Sequence, residues 1–164
     1  MRPTLVLGLG NPLMGDDGAG LAALAELREA WQVAEEVELV DGGTWGMNLL
    51  PLLESFDRVI LLDAIDAHAK PGALILLRKD ELPRYLSHKL SPHQLDLREV
   101  LALAELRDKL PRHLLAIGVQ PESIELTGAL SPRVAEAIPR LVDLVAEQLR
   151  WLGHRCRRRE PVHA

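Results

Sequence analysis

The sequence contains a single cysteine, Cys156, among its 164 residues. One cysteine cannot form a disulfide within the chain, and it cannot build a cysteine-rich zinc or iron–sulfur site. The cysteine content therefore excludes a disulfide-stabilised secreted fold, and we expect the protein to work in the cytoplasm.

The chain also lacks any hydrophobic run of the roughly 20 residues that a membrane-spanning helix needs. Its first residues lead directly into an apolar segment that is typical of a buried strand, so we expect no cleaved signal peptide. An excess of positive charge is missing too, because the formal net charge is −5. That balance argues against a nucleic-acid partner.

Positive charge is concentrated near the carboxyl terminus, where four arginines and one glutamate lie between positions 155 and 160. Such a cluster is typical of a solvated chain end, so we expect residues 154–164 to form a basic, flexible tail. The remaining residues 1–153 have the length and apolar content of one compact α/β domain.

Short apolar runs alternate with segments of helical periodicity along the whole domain. The predicted strands cover residues 5–9, 37–41, 58–63, 73–77 and 114–119. The predicted helices cover residues 16–30, 47–54, 92–104 and 132–152. The last two helices each begin with a serine followed by proline, which is a frequent helix start.

This alternation predicts a three-layer α/β/α sandwich with a mostly parallel, twisted, five-stranded sheet and helices on both faces. The fourth strand follows the third by a connection too short for a parallel crossover, so we expect that one strand to be antiparallel. In such folds ligands bind beyond the carboxyl ends of the parallel strands. The chemistry of this protein should therefore lie in the loops that follow them.

The loop after the first strand is rich in glycine but does not suit a phosphate. Gly8 and Gly10 begin a dinucleotide-type pattern, yet Leu13 stands where its third glycine belongs. Asp16 and Asp17 sit where a phosphate would meet the helix, and they would repel it while attracting a cation. We expect Asp16 to cap the helix, which leaves Asp17 as the candidate functional acid.

Three further residues carry candidate chemistry at strand and helix ends. Asp63 follows four apolar residues at the end of the third predicted strand, and Asp41 occupies the same place on the second. If the first and third strands are neighbours, Asp63 lies within reach of Asp17. His93 lies in the first turn of a helix, where the dipole favours a neutral imidazole that can bind a metal. Two carboxylates and one imidazole suit zinc, nickel, manganese or iron(II).

Six short motifs in a fixed order resemble those of the hydrogenase maturation endopeptidases. They are GLGNPL at 8–13, DDG at 16–18, DGGT at 41–44, DA at 63–64, SPHQ at 91–94 and GVQPE at 118–122. The resemblance extends from residue 4 to about residue 150. It implies a protease that removes a short carboxyl-terminal peptide from the nickel-loaded large-subunit precursor of nickel–iron hydrogenase, its expected partner.

The resemblance also assigns roles to residues. The metal-contacting positions of the family map onto Asp17, Asp63 and His93, and the two aspartates are the candidate catalytic groups. The first position is often glutamate in the family, so the shorter Asp17 has to reach the metal differently or through water. It further implies that the nickel belongs to the substrate and that the enzyme holds no tightly bound metal of its own.

The family's substrate-recognition loop maps onto Asp41, Gly42, Gly43 and Thr44. No cofactor-binding residue is implied. We expect the protein to be a monomer that meets a large precursor. Cys156 lies outside every motif, so any thiolate ligand of the nickel should come from the substrate.

Besides a scaffold that binds the precursor without cutting it, two other readings remain open from the sequence alone. The glycine loop at Gly8 and Gly10 could belong to a nucleotide-binding α/β module, and the acids could belong to a peptidase or amidase with a resident metal. Saturable nucleotide binding would favour the first alternative, and stoichiometric bound zinc or iron would favour the second.

Overall fold

A computed structural model describes residues 2–43, 45–83 and 92–161, with the backbone alone for residues 92–96. The strands are β1 Thr4–Leu9, β2 Trp31–Val33, β3 Val37–Gly43, β4 Arg58–Ala64, β5 Leu74–Arg78, β6 His113–Val119 and β7 Cys156–Arg158. The helices are α1 Ala19–Ala30, α2 Leu49–Glu54, α3 Pro92–Leu106 and α4 Pro132–Trp151. None of the helices in these ranges is long and apolar enough to cross a membrane.

Five strands form the main sheet in the order β3-β1-β4-β6-β5. The first four are parallel, and β5 runs antiparallel to β6. This arrangement confirms the predicted sandwich and its single antiparallel strand. The nine residues between β4 and β5 (two in a turn at 71–72) are too few to carry the chain back for a parallel strand, which is the physical reason for the reversal.

The sheet is covered on both faces, as the apolar runs in its strands predict. One apolar cluster lies between the sheet and the pair α1 and α4, and it includes Leu27, Ile60 and Leu141. The other lies against α2 and α3 and includes Leu53, Leu61 and Leu97. Because both faces are buried, the ends of the strands are the places where side chains can meet a ligand.

The expectation of a flexible tail from residue 154 is wrong for its first part. β7 pairs antiparallel with β2 in a small second sheet. The buried Trp31 explains this order, because the guanidinium carbons of Arg150 and Arg158 lie 5.0 and 5.1 Å from its ring centroid. Arg158 also forms an ion pair with Asp143. Arg158, which belongs to a cluster expected to be solvated, is therefore used together with Arg150 to pack a tryptophan.

Candidate functional site

Gly10 forms the tight junction between β1 and the acidic turn that follows. Its φ of +127° is a backbone conformation that residues with a Cβ rarely adopt. A Cβ at Gly10 would lie 1.9 Å from the carbonyl oxygen of Asp17 and 3.8 Å from Oδ1 of Asp63. The backbone of one candidate acid and the carboxylate of the other thus approach the same glycine.

Asp17 lies in a 3-10 turn, Gly15–Gly18, that leads into α1. Its side chain is fully buried, and its Oδ2 accepts a 3.0 Å hydrogen bond from the backbone N–H of Asn11. The N–H of Asp17 itself donates to the carbonyl of Met14 at 3.1 Å. These bonds fold the loop back on itself and hold the carboxylate of Asp17 beside the end of β1.

Asp63 lies near the carboxyl end of β4, which is hydrogen-bonded to β1. The register places Gly8 opposite Leu62, so Asp63 is level with the start of the glycine loop. Asp63 is 1% exposed, and its Oδ1 accepts a 2.8 Å hydrogen bond from the N–H of Ala64. The pairing of β1 with β4 confirms the predicted strand neighbourhood, and the two carboxylate-bearing residues converge on Gly10. Their roles stay predictions.

Asp16 does not cap the helix that follows it, contrary to the expectation. No side-chain bond caps either the 3-10 turn or α1. Instead, its Oδ2 accepts from the N–H groups of Glu122 and Ser123 at 2.8 and 3.0 Å and from the hydroxyl of Ser131 at 2.8 Å. Its Oδ1 accepts from the N–H of Ser131 at 2.7 Å. The buried Asp16 therefore ties the loop between β6 and α4 to the acidic turn.

The segment Asp41–Gly43 borders the same place from the edge strand β3. Asp41 is exposed, so it does not join the two buried carboxylates. Gly43 has a φ of +43°, and its carbonyl accepts a 3.1 Å hydrogen bond from the N–H of Gly10. The loop after β3 is thus tied to the loop after β1, while Thr44 lies outside the described residues.

His93 occupies the first turn of α3, and its side chain lies outside the part of the chain that the structure describes. The later turns of α3, at Leu101 and Glu105, line a cavity together with Leu114 at the start of β6. The helix therefore runs against the direction of the parallel strands, and its first turn points toward their carboxyl ends. That direction is compatible with the predicted approach of His93 to the two aspartates.

The described residues of the candidate site contribute carboxylate donors. Within ranges 2–43, 45–83 and 97–161, no three His, Cys, Asp or Glu side chains are grouped as metal ligands. The two acids at Gly10 supply hard oxygen donors, which would form part of a coordination shell for a borderline divalent metal. Any further donors of such a shell lie outside these described side chains.

Gln120 is a residue of the site region that the sequence interpretation assigned no separate role. Its Oε1 accepts from the N–H groups of Ala67 and Ala69 at 2.8 and 3.1 Å, and its Nε2 donates to Asp66 at 3.1 Å. It therefore shapes the loop that leaves Asp63. The available signal was a polar residue directly after an apolar strand and before a proline.

The comparison with protein families decides what kind of protein carries this arrangement. A family model described as HycI, hydrogenase maturation protease, matches residues 22–148. The chain belongs to the hydrogenase maturation protease family. It is accordingly a peptidase, and the resemblance inferred from the motifs is confirmed.

Curated and solved members of the hydrogenase maturation proteases agree with this assignment. The HupD hydrogenase expression/formation protein of Thiocapsa roseopersicina is 40% identical over 95% of this chain and 72% of its own length. The hydrogenase 2 maturation protease of Escherichia coli is 37% identical over 97% of this chain and 98% of its own. The structure of the E. coli hydrogenase maturating endopeptidase HybD, covering the same shares, superposes with a TM-score of 0.90.

A more distant solved member shows how much of the architecture is shared. The [NiFe] hydrogenase maturation protease HybD from Thermococcus kodakarensis is 30% identical and covers 90% of this chain, with a TM-score of 0.72. The sandwich architecture is thus shared with a hydrogenase maturation protease of quite different sequence.

Proposed function

We propose that this endopeptidase removes a short carboxyl-terminal peptide from the nickel-loaded large-subunit precursor of a nickel–iron hydrogenase. In this proposal Asp17, Asp63 and His93 hold the nickel that the precursor carries. The observation that supports it most is the convergence of two buried carboxylates on Gly10, at the carboxyl ends of two adjacent parallel strands.

Burial of two acids in one place is costly unless the charges are matched. Asp17 and Asp63 each receive a backbone N–H on one carboxylate oxygen, which orients the groups. A divalent cation brought by a substrate would balance the negative charge of the two carboxylates at this position. The pair is therefore well suited to sense whether the arriving precursor carries its metal.

The protein's own cysteine does not complete such a site. Cys156 is buried in β7, in the second sheet, and burial raises the pKa of its thiol. A raised pKa lowers the fraction of the reactive thiolate at neutral pH. Thiolate ligands for the nickel are accordingly expected from the precursor. An incomplete ligand set on the enzyme would bind nickel weakly alone and well as part of the complex.

Peptide hydrolysis needs an activated water and a polarised carbonyl. We assign to Asp17 or Asp63 the removal of one proton from the attacking water, whose oxygen then bonds to the scissile carbonyl carbon. That proton can pass to the leaving amine as the carbon–nitrogen bond breaks. The substrate's nickel, when present, supplies Lewis acidity at this position.

The loop after β3 is the proposed place of substrate recognition. Asp41 offers an exposed carboxylate next to the half-buried Gly43, while the buried Gly42 packs the start of this loop against the core. Thr44 completes the motif. The proposed reaction takes place in the cytoplasm, with the enzyme acting as a monomer.

The proposal is tested with purified enzyme and precursor, with and without nickel, followed by intact mass. We expect loss of the carboxyl-terminal peptide only from nickel-loaded precursor. The variants Asp17→Asn, Asp63→Asn and His93→Ala should each slow the cleavage by about 10²-fold or more, because they remove a ligand or the base. Asp80→Asn, an exposed acid outside this site, is the matched control and should cleave at the parental rate.

Two outcomes would contradict the proposal. If neither form of the precursor is shortened, the assigned substrate is wrong. If the enzyme as purified contains stoichiometric zinc or iron and cleaves both forms equally, a resident metal performs the chemistry instead.

A further inference from the structure

Large apolar side chains are exposed in the loops that surround the two aspartates. Leu13 is 63% exposed, Trp45 is 52% exposed and Met47 is 48% exposed. Leu13 follows β1 and the other two follow β3, so all three lie at the edge of the sheet where Asp17 and Asp63 meet. We call Leu13, Trp45 and Met47 the apolar rim.

Other exposed large hydrophobic side chains in the described ranges show that this placement is selective. Leu126 lies in the loop that Asp16 anchors to the acidic turn, again at the carboxyl edge. Leu106 and Trp151 instead close α3 and α4 at the opposite end of the sheet, where Trp151 stacks on His113. Exposed apolar surface is thus concentrated around the candidate site.

Two hydrogen bonds from backbone N–H groups to side-chain oxygens connect Leu13 of the apolar rim to Asp17. Oδ1 of Asn11 accepts from the N–H of Leu13 at 3.0 Å, while the N–H of Asn11 donates to Asp17. The position of Leu13 is therefore set by the residue that also orients Asp17. A substrate that contacts Leu13 is already in register with that carboxylate.

The other side of the rim is held by turns with left-handed glycines. Gly43 and Gly46, with φ of +43° and +62°, flank the stretch that contains Trp45. The N–H of Trp45 donates to the carbonyl of Gly42 at 2.9 Å, and the carbonyl of Gly43 receives the N–H of Gly10. The 3-10 turn Gly46–Asn48 also packs against α3, which carries His93 at its start.

Folding does not account for an exposed tryptophan, leucine and methionine in this position. Side chains that remain in water contribute little to the core, and clustered apolar exposure is typical of binding surfaces. Tryptophan and methionine are enriched in the buried centres of interfaces. A surface continuous with the site of an endopeptidase is covered by whatever reaches that site.

We propose that the apolar rim is the docking surface for the precursor segment next to the scissile bond, and that it accepts apolar side chains of that segment. The inference rests on the proposed function, since it takes the hydrogenase large-subunit precursor as the occupant. It assigns substrate specificity to Leu13, Trp45 and Met47. These three side chains take no part in the hydrolysis proposed for the aspartates.

The test compares rim variants with a matched surface variant in steady-state cleavage of nickel-loaded precursor. Leu13→Ser, Trp45→Ala and Met47→Ser should raise KM, by about tenfold for Trp45→Ala, and should lower kcat less. Leu106→Ser removes an even more exposed leucine from the far end of α3 and should leave both constants unchanged. Equal KM values for parent and rim variants would overturn the inference.

The occupant is tested from the substrate side. Precursors in which the apolar residues within four positions of the scissile bond are replaced by serine should show a raised KM with the parental enzyme. With Trp45→Ala the same replacement should cost clearly less, because the contact has already been lost. Fully additive effects would show that the rim and these residues do not touch.

A binding measurement separates this inference from the proposed function. Calorimetric titration of precursor into the Asp17→Asn enzyme reports binding without cleavage, with and without Trp45→Ala. Binding that is weakened by Trp45→Ala supports the rim even if the parental enzyme cleaves nothing. No binding of precursor to any form overturns both proposals. Conversion of a dimer to a monomer by the rim variants, seen in sedimentation, would assign the rim to self-association and overturn the inference.

Discussion

Single side chains of the same type have quite different tasks in this protein. Asp16 and Asp17 are adjacent, and both are buried. Asp16 accepts four hydrogen bonds from a loop more than a hundred residues away, whereas Asp17 is directed to the glycine turn and the candidate site. The neighbours in space, and not the residue type, decide which acid is structural.

Replacement of Asp16 by alanine should therefore cost stability. It leaves the N–H groups of Glu122, Ser123 and Ser131 without their carboxylate, and hydrogen bonds to a charged group contribute about 1.5–3 kcal/mol each. We expect the free energy of unfolding to fall by about 3 kcal/mol or more in urea titration. Asp143→Asn, which breaks one half-exposed ion pair, should change it by less than about 1 kcal/mol. Equal effects of the two substitutions would refute the anchoring role of Asp16.

At the scale of secondary-structure elements, the short strand β7 completes the hydrophobic core, although its sequence looks like a dispensable tail. β7 covers one side of the α1 and α4 layer through Cys156, and its pairing with β2 encloses Trp31. The carbonyl of Ala30 also receives the N–H of Arg159 at 2.8 Å. β7 and the residue after it thus cover the carboxyl-terminal end of α1.

Truncation distinguishes this element from a flexible tail. A chain ending at Gly153 loses β7 and exposes Trp31, so its midpoint of thermal unfolding should drop by several degrees, about 4 °C for each kcal/mol lost. A chain ending at Glu160 keeps the strand and should unfold at the parental temperature. Unchanged stability in the shorter chain would restore the flexible-tail interpretation.

At the scale of the whole molecule, the candidate site and the two histidines with a lowered pKa lie at opposite ends of the sheet. The carboxylates lie at the carboxyl ends of the strands, while His113 and His154 lie near the amino ends, close to Arg58. Burial first, and then the charge of Arg58, lowers the pKa of His113, with a further contribution from Arg78. Burial also lowers the pKa of His154, against the opposing charge of Glu36.

These shifts predict that stability falls as the pH drops below about 6.5, the ordinary pKa of histidine. In that range the unfolded chain binds protons that the folded chain does not, so stability rises with pH until both states are neutral. The double variant His113→Asn, His154→Gln should show a smaller difference in thermal midpoint between pH 7.5 and pH 5.5 than the parent. A difference as large as the parent's would mean that other groups cause the acid loss.

The sequence by itself determined the fold class, the antiparallel strand and the position of Asp63 at the end of a buried strand. These follow from hydrophobic periodicity and connection length, which are local properties of the chain. The family could also be identified from the sequence, because its short motifs occur there in a fixed order. His93 could be placed at a helix start by the same local logic.

Only the tertiary structure decided which groups meet. Four sets of contacts join segments that are distant in sequence. They are the hydrogen bonds that Asp16 accepts, those that Gln120 makes with the loop after β4, the close approach of Gly10 to Asp63, and the pairing of β7 with β2. Each of these contacts forms when the layers pack, because hydrogen-bond partners and side-chain burial depend on neighbours in space. No local pattern of residues carries that information, and for this reason the tail and the role of Asp16 were the points where sequence reasoning failed.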